Sequence, residues 1–124
     1  MALEIEIQKT MAPGGGPVTI KLAGSLDTST AIELDRQLQP VLAGPVSDLI
    51  FDLALLKFVS SAGLRVFSLA RKQMTARGGK ASFIHLQPQI EEVFAIIQSL
   101  PGIAIFRDLA ELDRYLAARQ HSHE

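Results

Sequence analysis

The chain has 124 residues, of which 48% are apolar and 20% are charged, and its formal net charge at pH 7 is −1. This length and composition suit one domain with a sizeable core and exclude an intrinsically disordered chain. The absence of cysteine excludes disulfides and thiolate zinc sites, and the charge balance gives no basic surplus that would drive direct nucleic-acid binding.

The first residues, "MALEIEIQKT", lack the basic and apolar regions of a signal peptide. No apolar run reaches the roughly 18 residues that a membrane-spanning helix needs. We therefore expect a cytoplasmic protein without membrane insertion.

Two strands are predicted at the start of the chain. Leu3, Ile5 and Ile7 alternate with polar residues, which is the period of a half-buried strand. The segment "VTIKLAG" alternates in the same way after the loop "MAPGGGP". The two runs predict an antiparallel hairpin.

A helix is predicted from about Thr28 to Ala43 because its apolar residues recur at helical spacing. Thr30 and Glu33 are expected to form its capping box. The next segment, "DLIFDLALL", contains the continuous apolar run Leu49–Phe51 and predicts a strand that is covered on both faces.

The second half of the chain alternates helices with strands. A helix from about Ser61 to Arg77 is expected to end at Gly78-Gly79. The strand "KASFIHL" follows, then a helix that begins at Pro88, a short strand "PGIAIF" and a last helix opened by Asp108.

The predicted order is β-β-α-β-α-β-α-β-α, which indicates an α/β domain. Its mostly parallel, mixed sheet should have about five strands, accompanied by about four helices. The domain is expected to cover residues 1–120, followed by a polar, disordered tail at 121–124.

The stretch "KFVSSAGLRVF" lies where a predicted strand ends and a helix begins, which is where open α/β sheets place their sites. Ser60 is predicted as the helix N-cap, and Ala62 and Gly63 leave room for close packing on the sheet. A hydroxyl at Ser61, in the first turn, is expected to be exposed. On the residues alone, the enrichment of serine at helix caps favours two capping serines without further function.

One face of the same helix carries no large apolar residue. The spacing of this face is four, three, four and three residues, which places its members one above another. They are Ser61, Arg65, Ser68, Lys72 and Thr75. The face is either a partner-binding surface or simply solvated.

Three segments together resemble the STAS domain family of bacterial anti-sigma-factor antagonists. "DLALLKFVSSAGLRVF" resembles the family signature, and "LAGSLDTSTA" resembles its Gly-x-Leu-Asp motif. The segment from "RGGKASF" to "RDLAEL" resembles its second half. The resemblance covers nearly the whole chain.

The resemblance implies a binding protein and not an enzyme, with no cofactor. An unphosphorylated antagonist of this family binds an anti-sigma factor, which is a serine kinase of the histidine-kinase-like ATPase type. That binding releases a sigma factor and so regulates transcription. Phosphorylation of one serine ends the interaction, and a serine phosphatase restores it.

Carried over to this sequence, the phosphorylated residue is Ser61, with Ser60 as the alternative. The remaining residues expected to bind the partner lie in the preceding loop and along the helix: Ser25, Asp27, Arg65, Ser68 and Lys72. Arg65 stands where the family has a small residue. Asp27 either caps the first helix or lies beside Ser61 and orients its hydroxyl.

Two alternatives remain. A hydrolase would recruit Ser61, His85 and Asp27, but "SSAGL" is not the Gly-x-Ser-x-Gly elbow, and His85 is expected to be structural within a strand. The glycine run near residue 15 lacks the lysine of a phosphate loop, and His121 and His123 are expected to bind a metal only weakly. The second alternative is an unphosphorylated STAS-type scaffold of a sensory complex or of a lipid or anion transporter.

Overall fold

One mixed four-stranded sheet organises the part of the chain that the computed structural model describes, residues 3–9, 15–99 and 114. The strands are β1 (Leu3–Lys9), β2 (Gly16–Leu26), β3 (Val46–Val59) and β4 (Lys80–Ile84). The helices are α1 (Thr28–Ala43), α2 (Ser61–Ala76) and α3 (Pro88–Ser99). The predicted last strand, the last helix and the tail at 121–124 lie outside the described residues, apart from Arg114.

The strand order is β1-β2-β3-β4, so each strand pairs with its neighbour in sequence. β1 and β2 are antiparallel, which confirms the predicted hairpin, and β2, β3 and β4 run parallel. The α/β class and the mixed sheet are therefore as predicted. Parallel neighbours need a crossover connection, and α1 and α2 supply it.

The core lies on one face of this sheet. Buried residues of all three described helices form a single cluster with alternate residues of the strands, among them Ile20, Leu22, Leu49, Phe51 and Leu53. On the other face, Glu6, Lys21, Asp52 and Leu55 are exposed or half-buried; we call it the open face. The prediction that β3 is covered on both faces is wrong, because Leu49 and Phe51 are fully buried whereas Ile50 is only half-buried.

β3 has 14 residues and its partner β2 has 11. The register between them shifts at three places, each of which adds one residue to β3. Bulges of this kind bend a strand and increase its twist. They bring Leu26 and Val59, the last residues of the two strands, into register.

Four phenylalanines join β3, β4, α2 and α3 within the core. The Phe51 and Phe67 ring centroids are 5.0 Å apart, and Phe83 stacks on Phe51 at 5.2 Å. The Phe94 ring meets Phe83 edge-on at 5.2 Å. Such pairs add about 0.5–1.5 kcal/mol each to the burial of their surface.

The residues that follow α2 form its C-cap and also hydrogen-bond to the C-terminus of α1. Gly78, at φ 81, takes the left-handed conformation that the predicted glycine cap requires, and the Gly79 N–H donates to Met74 O at 2.8 Å. The Arg77 guanidinium donates to Gly44 O at 3.1 Å and to Leu42 O. It therefore satisfies carbonyls that the C-terminus of α1 leaves without helical partners.

Candidate functional site at two adjacent helix N-termini

Two helices begin side by side at the carboxyl end of the sheet. Leu26 and Val59 are cross-strand partners, and each is followed directly by the N-cap of a helix, Asp27 and Ser60 respectively. The Ser60 N–H donates to Leu26 O at 2.9 Å. The β2–α1 turn and the start of α2 are thereby joined at the place the sequence predicted for a site.

Ser60 caps α2, as predicted. Its backbone is extended, with φ −94° and ψ 174°, and its Oγ accepts a hydrogen bond from the Gly63 N–H at 3.3 Å. The side chain therefore satisfies one of the amides that the start of a helix leaves without a partner.

Gly63 allows the first turn of α2 to sit directly on the end of β2. A Cβ at this position would lie 2.6 Å from Leu26 Cδ2 and 2.9 Å from Val59 Cγ2. No real Cβ is found that close to another carbon, so any larger residue would push α2 away from the sheet. The predicted packing role of Gly63 is confirmed.

The same close approach buries both serines. Ser61 is the first residue of α2 and only 8% exposed, and Ser60 is 6% exposed. The expectation that the Ser61 hydroxyl is exposed is therefore wrong. Small residues let the first turn approach the sheet closely, and the sequence pattern does not reveal how deeply the serines then lie.

Asp27 caps α1. Its Oδ1 accepts from the Thr30 N–H at 2.9 Å, while its own N–H donates to Thr30 Oγ1 at 2.8 Å. The capping box is therefore Asp27–Thr30 and not the predicted Thr30–Glu33, because the helix starts two residues before Thr30. Glu33 instead accepts from Arg36 and Gln37 along α1.

These contacts also fix the charge and the surroundings of Asp27. The Thr30 N–H and the Ser29 hydroxyl donate to its carboxylate and hold the pKa of Asp27 below its ordinary value. The Thr30 hydroxyl in turn donates to the carbonyl of Ser25, at 2.8 Å, and Ser25 is 4% exposed. Thr30 is thus a residue of the site that our sequence reasoning misplaced; an aspartate followed three residues later by threonine was the available signal.

The polar stripe of α2 is exposed beyond its first member. Arg65, Ser68, Lys72 and Thr75 all face solvent, as the sequence predicted. Ser68, Lys72 and Thr75 line a shallow groove together with Arg71 and Ala76. Arg71 is outside the predicted set.

The structure does not bring together the three residues that a hydrolase would need, Ser61, His85 and Asp27. His85 lies just after β4, at φ 59, rather than within the strand as expected. Its Nδ1 is 3.1 Å from Asp52 Oδ1 on the open face, whereas the carboxylate of Asp27 is held by the cap of α1. His85 and Asp27 therefore serve two different parts of the fold.

Within the described ranges, no group of three or more histidine, aspartate or glutamate side chains is arranged to hold a metal ion. His121 and His123 lie outside those ranges. No helix in the described part of the chain is both long enough and apolar enough to span a bilayer.

The family model of the STAS domain matches residues 4–112. The chain belongs to the STAS domain family. This confirms the resemblance drawn from "KFVSSAGLRVF" and "LAGSLDTSTA".

Among known relatives of this STAS domain is BtrV of Bordetella bronchiseptica, which is provisionally named an anti-sigma factor antagonist. The two are 32% identical over 87 residues, which are 70% of this chain and 75% of BtrV.

Solved structures share the fold. Unphosphorylated SpoIIAA, an anti-sigma factor antagonist, superposes with a TM-score of 0.60 at 22% identity, over 73% of this chain and 83% of SpoIIAA. An anti-sigma factor antagonist from Mycobacterium paratuberculosis superposes with a TM-score of 0.64 at 16% identity, over 94% of this chain and 95% of the other. These likenesses establish the STAS fold of the chain.

Proposed function

We propose that this STAS domain is an anti-sigma-factor antagonist, a binding protein rather than an enzyme. In its unphosphorylated form it binds a serine kinase of the histidine-kinase-like ATPase type through the start of α2. Phosphorylation of Ser61 ends the complex, and a serine phosphatase restores it. The name of the BtrV relative supports the class of function.

One observation carries the proposal: a serine is the first residue of α2, at the end of the sheet where two helices begin together. Helix N-termini favour anions through their unpaired amides and the helix dipole, by about 0.3–1 kcal/mol at an exposed end. Arg65, one turn further on and exposed, supplies a cation for a phosphate on residue 61.

Ser61 is the better acceptor of the two serines because Ser60 has a structural task. The Ser60 hydroxyl oxygen already accepts a hydrogen bond from the Gly63 N–H. The backbone N–H of Ser60 donates to the carbonyl of Leu26, the last residue of β2. A phosphate on Ser60 would exchange the hydroxyl cap for a larger anion directly against Leu26. A phosphate on Ser61 leaves the Ser60 hydroxyl itself unmodified.

The burial of Ser61 adds a step to the switch. A phosphate brings about −1.5 to −2 charges at neutral pH and does not fit beside a residue that is 8% exposed. The first turn of α2 must therefore open both for the kinase to reach the hydroxyl and for the phosphate to be solvated. We expect this opening to be confined to the start of α2, so that the sheet stays folded.

The same burial favours one other function, the unphosphorylated STAS-type scaffold of a sensory complex or transporter. Ser60 and Ser61 are both less than a tenth exposed, as in a module whose serines serve only the fold. The scaffold predicts a stable partner and no phosphate at either serine.

The test uses Ser61→Ala and Ser61→Asp, with the exposed residue of the same helix, Ser68→Asp, as the matched control. Binding is measured against candidate anti-sigma factors of the kinase type from the same genome, and mass spectrometry locates the phosphate after incubation with ATP. We expect Ser61→Ala to bind but not to be phosphorylated. Ser61→Asp should lose at least tenfold in affinity, about 1.4 kcal/mol, and Ser68→Asp should lose less.

Two results would contradict the proposal. Phosphate on neither serine, together with undiminished binding of Ser61→Asp, would favour the scaffold. Phosphate on Ser60 alone would move the switch by one residue and refute the assignment to Ser61.

A further inference from the structure

Basic residues are concentrated in one part of a chain that is nearly neutral overall. Between Leu53 and Ile90 the sequence contains no aspartate or glutamate, although the whole chain has 13 acidic residues. The same stretch holds half of the 12 lysines and arginines: Lys57, Arg65, Arg71, Lys72, Arg77 and Lys80.

The fold gathers three of these cations on α2. Arg65, Arg71 and Lys72 are exposed along that helix, and we call them the basic face. Arg77 is held by the carbonyls of Leu42 and Gly44 at the end of α1. Arg71 and Lys72 line the shallow groove with Ser68, Thr75 and Ala76.

We propose that the basic face is an electrostatic docking surface and that the partner presents to it an acidic protein surface. This inference rests on the proposed function, since it specifies the charge of the partner's binding site. Complementary charges of this kind raise the association rate and make affinity depend on salt.

A folded protein is a better occupant than a nucleic acid. The affinity of a nucleic-acid-binding protein comes largely from its phosphate contacts, of which strong binders make about 6–10, and three cations supply at most half of that number. The neighbouring helix α1, which packs against α2, carries Asp35 and the ion pair of Glu33 with Arg36, so it adds no net positive charge that would extend the basic face for a polyphosphate. A protein surface can place its acids over α2 alone.

The basic face also gives the switch an electrostatic part. A phosphate on Ser61 lies one helical turn before Arg65, at a spacing that brings i and i+4 side chains together. Its charge of about −1.5 to −2 offsets about half to two thirds of the three positive charges of the basic face. Phosphorylation therefore weakens the attraction for an acidic surface in addition to placing bulk in the contact.

The experiment reverses the charge in the groove with Arg71→Glu/Lys72→Glu. The matched control is Lys9→Glu, an exposed lysine at the end of β1, on the edge of the sheet away from α2. Circular dichroism checks that all variants are folded. Affinity for the anti-sigma factor that binds the wild-type chain is measured between 50 and 300 mM NaCl.

We expect the double reversal to weaken binding at least tenfold at low salt and to flatten its salt dependence, while Lys9→Glu changes affinity less than threefold. Normal binding by the double variant, or a wild-type affinity that salt does not change, would overturn this inference and leave the proposed function intact. Absence of any binding by the wild-type chain would refute the proposed function instead.

A second measurement tests the inference in that last case. Backbone amide spectra of the whole chain are recorded with poly-L-glutamate and, separately, with a dT oligonucleotide and with phosphatidylserine vesicles. Poly-L-glutamate should shift amides around Arg65, Arg71 and Lys72 and not those around Lys9. The absence of these shifts, or stronger binding by the oligonucleotide or the vesicles, would overturn the assignment to an acidic protein surface.

Discussion

Asp52 shows how one side chain can support several parts of the open face. Its Oδ1 accepts from the Ala54 N–H at 3.1 Å, beside one of the bulges of β3, and lies at the same distance from His85 Nδ1. Burial raises the pKa of Asp52, but the hydrogen bonds from Ala54 and His85 and the charge of Lys21 outweigh it. The net result is a pKa below the ordinary value.

The pH dependence of stability should follow from Asp52. A carboxyl with a lowered folded pKa contributes stability above its unfolded value of about 3.9, and the contribution is lost as pH falls through the folded value. Asp52→Asn should therefore be less stable than wild type at pH 7, and its stability should fall less steeply between pH 5 and pH 2. Urea unfolding at each pH measures both curves.

Asp35→Asn is the control, since that carboxylate lies on α1 and accepts a hydrogen bond from the Gln39 side chain at 3.0 Å. It should keep the wild-type slope. If the free energy of unfolding of Asp52→Asn falls with pH in parallel with that of wild type, Asp52 does not cause the loss of stability in acid.

The sequence identified most residues of the candidate site but not their surroundings. Ser25, Asp27, Ser60 and Ser61 do lie where β2 and β3 end, because motif position follows from strand and helix order. The burial of Ser61 was not predictable, since it depends on how closely Gly63 approaches Leu26. His85 was misplaced because its pattern continues that of β4, while its backbone turns left-handed at that residue.

Helices α1 and α2 were the most predictable elements. The predicted start and end of α1 match the structure, because the apolar spacing of a three-to-four-residue repeat extends over its whole length. The N-cap of α1 was harder to predict than its length. Two pairs of residues at the required spacing, Asp27 with Thr30 and Thr30 with Glu33, are both candidates for the capping box. Only the backbone decides which polar residue precedes the first helical one.

The two roles of Asp27 can be separated by substitution. Asp27→Ala should destabilise the protein by about 0.5–2 kcal/mol through loss of the α1 cap, whereas Asp27→Asn should keep most of that stability because asparagine is also a good N-cap. Chemical denaturation measures this difference. Equal losses for both variants would show that the charge, and not the cap, is what stabilises α1.

Binding of the Asp27→Asn variant then tests the second role. Undiminished binding to the anti-sigma factor would restrict Asp27 to capping. A loss without a change in stability would place its charge in the contact with the partner.

At the scale of the whole molecule, the described sheet is covered by helices on one side. The sequence predicted the α/β class and the mixed, mostly parallel sheet because alternating strands and helices allow few topologies. It missed the one-sided core because the apolar run Leu49–Phe51 looks the same whether one face or both are covered. Ile50 is half-buried as a result.

The aromatic cluster should dominate the stability of this one-sided core. Phe67 is 3% exposed and meets Phe51, Phe83 and Phe94, so Phe67→Ala should lower the free energy of unfolding by about 3–5 kcal/mol. The control, Ile32→Ala, removes a side chain that is 69% exposed and should change it by at most about 0.5 kcal/mol. Urea midpoints compare the two, and similar losses would refute the central role of the cluster.

The open face offers a position at which a label or a surface can be attached to the molecule. The natural chain contains no cysteine, and Leu55 is 63% exposed on the side of the sheet opposite α2. A cysteine introduced there would be the sole thiol, so a dye or a sensor chip can be attached at one known point. The molecule would then be immobilised with its helices turned outward, and its docking could be followed without chemistry on the surface under study.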